Sequence, residues 1–284
     1  MKQITTFILL LFVSFAAVAQ KMPAYKIYSA KGKKVSYKKM VKNLVKDDVI
    51  LFGEQHNSAL AHWLQLEVTK ELHNKREIQL GAEMIEADNQ DALYLYLMDS
   101  INQRGFDTLA RLWSNHKTDY APLVDFAKDN KLSFTACNIP RRYASMVYKG
   151  DFSSLDTLSA FEKSWIAPLP IAFDINLPTY QSILKMMGAH GSPKLVKAQA
   201  IKDATMAHFI IKNYAPGNLF IHFNGAFHSD FYEGILWYLK QQSPNLQYGT
   251  ISTVVQSDTD KLDTEHRGKA DFIIVVDEDM TTTY

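Results

Sequence analysis

Residues 48–56 read DVILFGEQH. Four large apolar residues in a row, Val49 to Phe52, fit a short strand buried on both faces, the pattern of a parallel sheet covered by helices on each side. The run stops at Gly53 and passes into Glu54, Gln55 and His56, three polar residues at what would be the strand's carboxyl end. A helix is expected from about Asn57 to Asn74, with Leu60, Trp63, Leu64, Val68 and Leu72 along one face.

The same alternation continues outward. IQLGAE (78–83) reads as a second strand, followed by helical segments near 90–103, 106–113 and 122–130 and by a third strand at Leu132–Cys137. In NIPRRYASMVYKG (138–150), Pro140 suits a first helical turn and Gly150 a stop. The stretch 151–193 carries Pro168, Pro170, Pro178 and Pro193 and reads as an irregular insertion around a helix at Thr179–Met187. A longer helix at about 193–213 leads into NLFIHFNGAFHSD (218–230), a fourth strand and its loop. Helix 232–241 and strands 249–255 and 272–276 follow. The expected fold is α/β: a central, mainly parallel sheet flanked by helices, with a helical insertion between the third and fourth strands.

Composition narrows the function classes. The 284 residues are 47% hydrophobic and 21% charged, which excludes disorder and coiled coil; with 31 Lys plus Arg against 30 Asp plus Glu, no global field attracts nucleic acid. Nine lysines and no acid fall between Lys21 and Lys46, a pattern of a solvated face. The N-terminus has one lysine, an apolar run from Phe7 to Val13 and a small-residue ending at Ala17, Val18 and Ala19. That order matches a secretory signal over residues 1–19, leaving 20–284 as a single domain without a transmembrane segment, periplasmic or secreted. Cys137 is the single cysteine and lies in an apolar run, so it reads as a buried thiol, with neither a disulfide nor a lipid-bearing cysteine at the cleavage site.

Ligands of parallel α/β sheets bind beyond the carboxyl ends of the strands. Here four such ends carry unusual polar groups: Glu54 and His56; Glu83; Asn138 with Arg141 and Arg142; Asn224 and His228. His56, Glu83 and His228 are donors suited to a divalent metal with an open water position, and Glu54 could deprotonate that water. Without metal, Glu54, Glu83 and His56 form an acid/base set. His190, between glycines and after Met186 and Met187, could reach a ligand. His62, His73, His116, His208 and His266 read as structural, and His222, between Ile221 and Phe223, as a core group.

The ordered series GEQH (53–56), GAEM (81–84), YAPLVDFAKDNKLSFTACNIPRR (120–142), QAIKDATMA (199–207) and NGAFHSD (224–230) resembles the ChaN-like haem-binding uptake family. That family is similar to the Tiki and TraB group and, more distantly, to erythromycin esterases; the resemblance runs from about Val49 to His228. It implies an exported haem-binding protein of iron uptake or handling, with Tyr143 or Tyr148 as axial oxygen ligand, Arg141 or Arg142 on a propionate, and homodimers. The two Gly-x-x-His motifs with Glu83 between them also resemble the metal-dependent Tiki proteases, which implies a periplasmic peptide or ester hydrolase as the alternative. The chain departs from the haem-binding lipoproteins in lacking a lipobox cysteine.

Overall fold

The computed structural model describes residues 23–188 and 191–284, so the expected signal segment and His190 lie outside the described residues. The described residues form one eight-stranded sheet. Its strands are β1 (Tyr25–Ser29), β2 (Lys34–Val35), β3 (Val49–Glu54), β4 (Ile78–Glu86), β5 (Phe134–Asn138), β6 (Leu219–Gly225), β7 (Tyr248–Gln256) and β8 (Phe272–Asp277), in the order β2-β1-β8-β7-β3-β6-β4-β5. Pairing is parallel from β8 through to β5, and β1 adds antiparallel to β8 with β2 antiparallel to it. All six residues of β3 are buried, as its apolar run requires.

Period-two alternation along β3 divides the core. Ile50 and Phe52 enter the cluster on one face, packed under α2 (Ala59–His73), α3 (Gln90–Leu97) and α5 (Ala121–Asp129). Val49 and Leu51 enter the cluster on the other, under α9 (Pro193–Asn213) and α10 (Ile235–Gln242). The remaining helices are α1 (Tyr37–Leu44), α4 (Gln103–Leu109), α6 (Arg141–Gly150), α7 (Ala160–Lys163) and α8 (Pro178–Met187). Helix starts follow their caps: Ser58 accepts from the Ala61 N–H at α2, and Ser192 from the Leu195 N–H at α9, where Pro193 occupies the first turn. The expected insertion is α6 to α9, between β5 and β6.

Two local expectations change. The lysine-rich stretch is more than a solvated face: Ile27 and Tyr28 are buried in β1, and Met40, Val41 and Leu44 anchor α1, while the lysines between them face water. The helix expected over 90–103 ends at Leu97, because Asp99 takes a left-handed backbone (φ 57°) and Asn102 caps a new helix by accepting from the Gly105 N–H. No helix among the described residues is long and apolar enough to cross a membrane.

Gly81, in the middle of β4, leaves room for β6 and β5 side chains. A Cβ there would lie 2.8 Å from the Phe220 ring and 2.9 Å from Cys137 Sγ, both fully buried. Gly81→Ala is therefore expected to lower stability by about 1–3 kcal/mol through overpacking, read as a lower urea midpoint at unchanged m-value; a midpoint equal to wild type would contradict this packing.

Candidate functional site at the strand ends

The carboxyl ends of β3, β4 and β6 bring together Glu54, His56, Glu83 and His228, the four residues that the sequence offers for metal or acid/base chemistry. Glu54 is the last residue of β3, and His56 follows two positions later. Glu83 lies just past the last paired residue of β4 against β6, Ala82, where the register with β5 also slips between Ala82 and Glu86. This irregularity frees Glu83 from the ladder and aims it across the top of the sheet. His228 sits in the short turn Ala226–His228 that follows β6.

Glu54 is buried, and each of its oxygens is engaged. Oε1 accepts from His56 Nδ1 and from the Tyr120 hydroxyl, both at 2.8 Å. Oε2 accepts from Gln65 Nε2 at 2.6 Å and is approached by His62 Nδ1 at 3.3 Å. Burial works against ionisation, yet the bonds from His56 and His62 outweigh it and hold the carboxyl below its ordinary range. His62 also lies 3.4 Å from Asp119, so a histidine that the sequence assigns to helix structure belongs to this network.

A second buried network surrounds His228. Nε2 lies 3.2 Å from Glu83 Oε1, Nδ1 lies 2.5 Å from Asp203 Oδ1, and the Gln199 amide packs against the same ring at 3.0 Å. Glu83 accepts in addition from the Gly225 N–H at 2.7 Å. Tyr180 donates to the other oxygen of Asp203 at 2.8 Å. Burial alone would lower the imidazole; the two flanking carboxylates reverse this and push it up to about 9, so His228 is an imidazolium at neutral pH. Glu83 is driven well below the usual carboxylate range, against burial, chiefly by the charge of His228.

His56 joins the two networks. Its Nδ1 is turned toward Glu54, so Nε2 is the nitrogen presented above Gly225, where a Cβ would come within 2.7 Å of it. Only glycine allows the imidazole to approach the β6 turn so closely. Trp113 closes one side edge-on, with ring centroids 5.0 Å apart. The arrangement offers a basic nitrogen held by a buried carboxylate next to an imidazolium held between two others, an acid/base pair in form.

The donors do not converge as a metal centre in this arrangement. Among the described residues, only Asp263, Glu265 and His266 have ligand atoms all within 4.8 Å of one another, and they lie away from this site at the protein surface. His56, Glu83 and His228 do not form such a set.

On α6 the four residues named from the sequence divide into two pairs. Tyr143 is buried, its ring under the Arg142 guanidinium at 4.4 Å, its hydroxyl donating to Glu162 at 3.1 Å and accepting from Arg142 at 3.1 Å. Arg142 in turn bonds Asp88 at 2.5 Å. Burial raises the Tyr143 phenol despite Arg142, which disfavours the phenolate. Arg141 and Tyr148 are exposed, seven residues apart on the same side of the helix.

The sequence reading passes over Asp203, Gln199, Tyr120 and Gln65. Their signal is a polar residue on an otherwise apolar helical face: Asp203 lies between Ala200, Ile201 and Ala204, all buried. Because the folded-state value of His228 lies above that of a free imidazole, near 6.5, its ion pairs contribute stability that is complete below about pH 6.5 and lost as pH rises through about 9. In buffer with EDTA, the unfolding free energy should fall by up to about 3 kcal/mol across that window, and His228→Gln should flatten the slope. A wild-type profile without this decline would sink the assignment.

Comparison with known proteins places the chain. Residues 40–239 match the family model for haem-binding uptake, Tiki superfamily, ChaN. No curated protein matches the chain. Its fold is similar to that of ChaN of Campylobacter jejuni, whose structure describes cofacial haem binding: TM-score 0.67 at 16% identity, over 89% of this chain and 96% of that one. A Bacillus cereus protein is similar at TM-score 0.51 and 10% identity, over 86% of this chain and 92% of that one. A succinoglycan biosynthesis protein is similar at TM-score 0.50 and 12% identity, over 84% and 89%. With two thirds of its length matched by one model and the strand-end motifs inside that span, the chain belongs to the ChaN family of haem-binding uptake proteins in the Tiki superfamily.

Proposed function

We propose that this chain binds haem and serves in the uptake or handling of haem iron as an exported protein. The observation that carries the reading is the match of residues 40–239 to a family described as haem-binding, together with a fold shared with a haem-binding ChaN. The N-terminal order of lysine, apolar run and small-residue ending supports export. A haem needs an axial donor, a flat apolar seat and cations for its propionates. Among the α6 residues, Tyr148 and Arg141 have free, solvent-facing ends, whereas Tyr143 and Arg142 are bonded to Glu162 and Asp88.

A second reading rests on the strand-end cluster. His56, oriented through Nδ1 by Glu54 and flanked by Glu83 and the His228 imidazolium, has the form of a general base beside a general acid for peptide or ester hydrolysis. His56→Ala would then abolish turnover of such substrates without unfolding the protein; equal turnover in wild type and variant would discard this role.

Titration of the purified mature chain with ferric hemin, followed by absorbance, tests the first reading. The expected result is a saturable Soret shift at a fixed stoichiometry. A spectrum equal to that of free hemin plus protein throughout the titration would remove haem binding as the function.

A further inference from the structure

Residues 280–284 read MTTTY, and three β-branched threonines beside a tyrosine favour an extended backbone. They follow β8 through a turn in which the Met280 N–H donates to the Asp277 carbonyl at 3.1 Å, and Met280 packs against the core cluster that holds Phe52. From there the chain runs along the turn between β3 and α2. Thr282 forms an antiparallel bridge with Ser58, and the Thr283 N–H donates to the Asn57 carbonyl at 2.9 Å. Continued by two residues, that register sets Tyr284 opposite His56.

The Thr283 side chain ties this segment to the Glu54 network. Its hydroxyl donates to Asp119 Oδ2 at 2.8 Å, an oxygen that also accepts from Asn115 Nδ2 at 2.7 Å and lies 3.4 Å from His62 Nε2. His62 in turn reaches the His56 carbonyl at 3.0 Å and Glu54 Oε2 at 3.3 Å. The segment thus joins the turn that carries His56 to the loop that carries Asp119 and Trp113, the ring edge-on to His56. Burial, and after it the negative charges of Asp119 and Glu54, raise the Tyr284 phenol, in keeping with a ring near these two acids.

The hold is light. Thr281 and Thr282 are exposed, Thr283 is half-buried and Tyr284 is 69% exposed, so the four residues bury little apolar surface and depend on a few hydrogen bonds. Such a segment opens far more readily than the domain unfolds. We propose that residues 281–284 are an internal strap, which occupies a subsite for an extended peptide along Asn57 and Ser58 and thereby limits access to His56. Recognition there is by backbone pairing to one edge of the turn, with Asp119 taking a hydroxyl donor from the residue opposite Asn57. The proposal rests on the hydrolytic reading of the strand-end cluster and adds its regulation: a peptide reaches His56 when the strap leaves.

The test is the rate at which diethyl pyrocarbonate modifies His56, read by peptide mass spectrometry at mildly alkaline pH, where more of the imidazole is neutral. The full chain is compared with a chain ending at Met280 and with Thr283→Val, and His208 on α9 is the internal control. Truncation is expected to raise the His56 rate about tenfold and Thr283→Val about threefold, with His208 unchanged in both. An excess of the acetylated peptide Thr-Thr-Thr-Tyr should return the truncated chain toward the wild-type rate. Equal His56 rates in all three chains would overturn the strap, and a peptide without protective effect would overturn the subsite. Where circular dichroism shows the truncated chain misfolded, Thr283→Val, which keeps every backbone bond, decides alone. If His56 responds as expected while none of the three chains cleaves a peptide or ester, the strap stands and the hydrolytic reading alone fails.

Discussion

Three carboxylates, those of Glu54, Glu83 and Asp203, are buried around the carboxyl ends of the central strands, against a largely apolar core. An isolated carboxylate in such surroundings costs far more than a domain's net stability, so each must be met by donors or cations. Much of the upper half of the molecule follows from that requirement. His56, His62, Gln65 and Tyr120 serve Glu54; His228 and the Gly225 N–H serve Glu83; His228 and Tyr180 serve Asp203. The helices α2 and α9 and the turn before α5 are fixed in place partly because each contributes a partner.

This mutual satisfaction shapes what the strand-end site can do. His228 gives both its nitrogens to carboxylates, and both oxygens of Glu54 are engaged, which leaves His56 Nε2 as the nitrogen directed over Gly225. The polar network at the sheet's carboxyl end is thereby closed on itself except at this nitrogen.

The parallel core was legible because its strands are short, mainly apolar runs ended by glycine or polar residues, as in DVILFG and IQLGAE. Glu54, His56, Glu83 and His228 stood out for the same reason, each following such a run. What the sequence concealed was of two kinds. β1 is a short antiparallel strand between β2 and β8 with two buried side chains among lysines, so hydropathy shows little of it. Asp203, Gln65 and Tyr120 reach the site from helices or a helical turn far away in the chain, and nothing local marks a buried acid such as Asp203 except its apolar neighbours.

Retention of haem by the chain is the most direct test of this account. The full chain incubated with ferric hemin and then desalted should keep iron in a fixed ratio to protein by metal analysis. Iron that separates completely from the protein would contradict it.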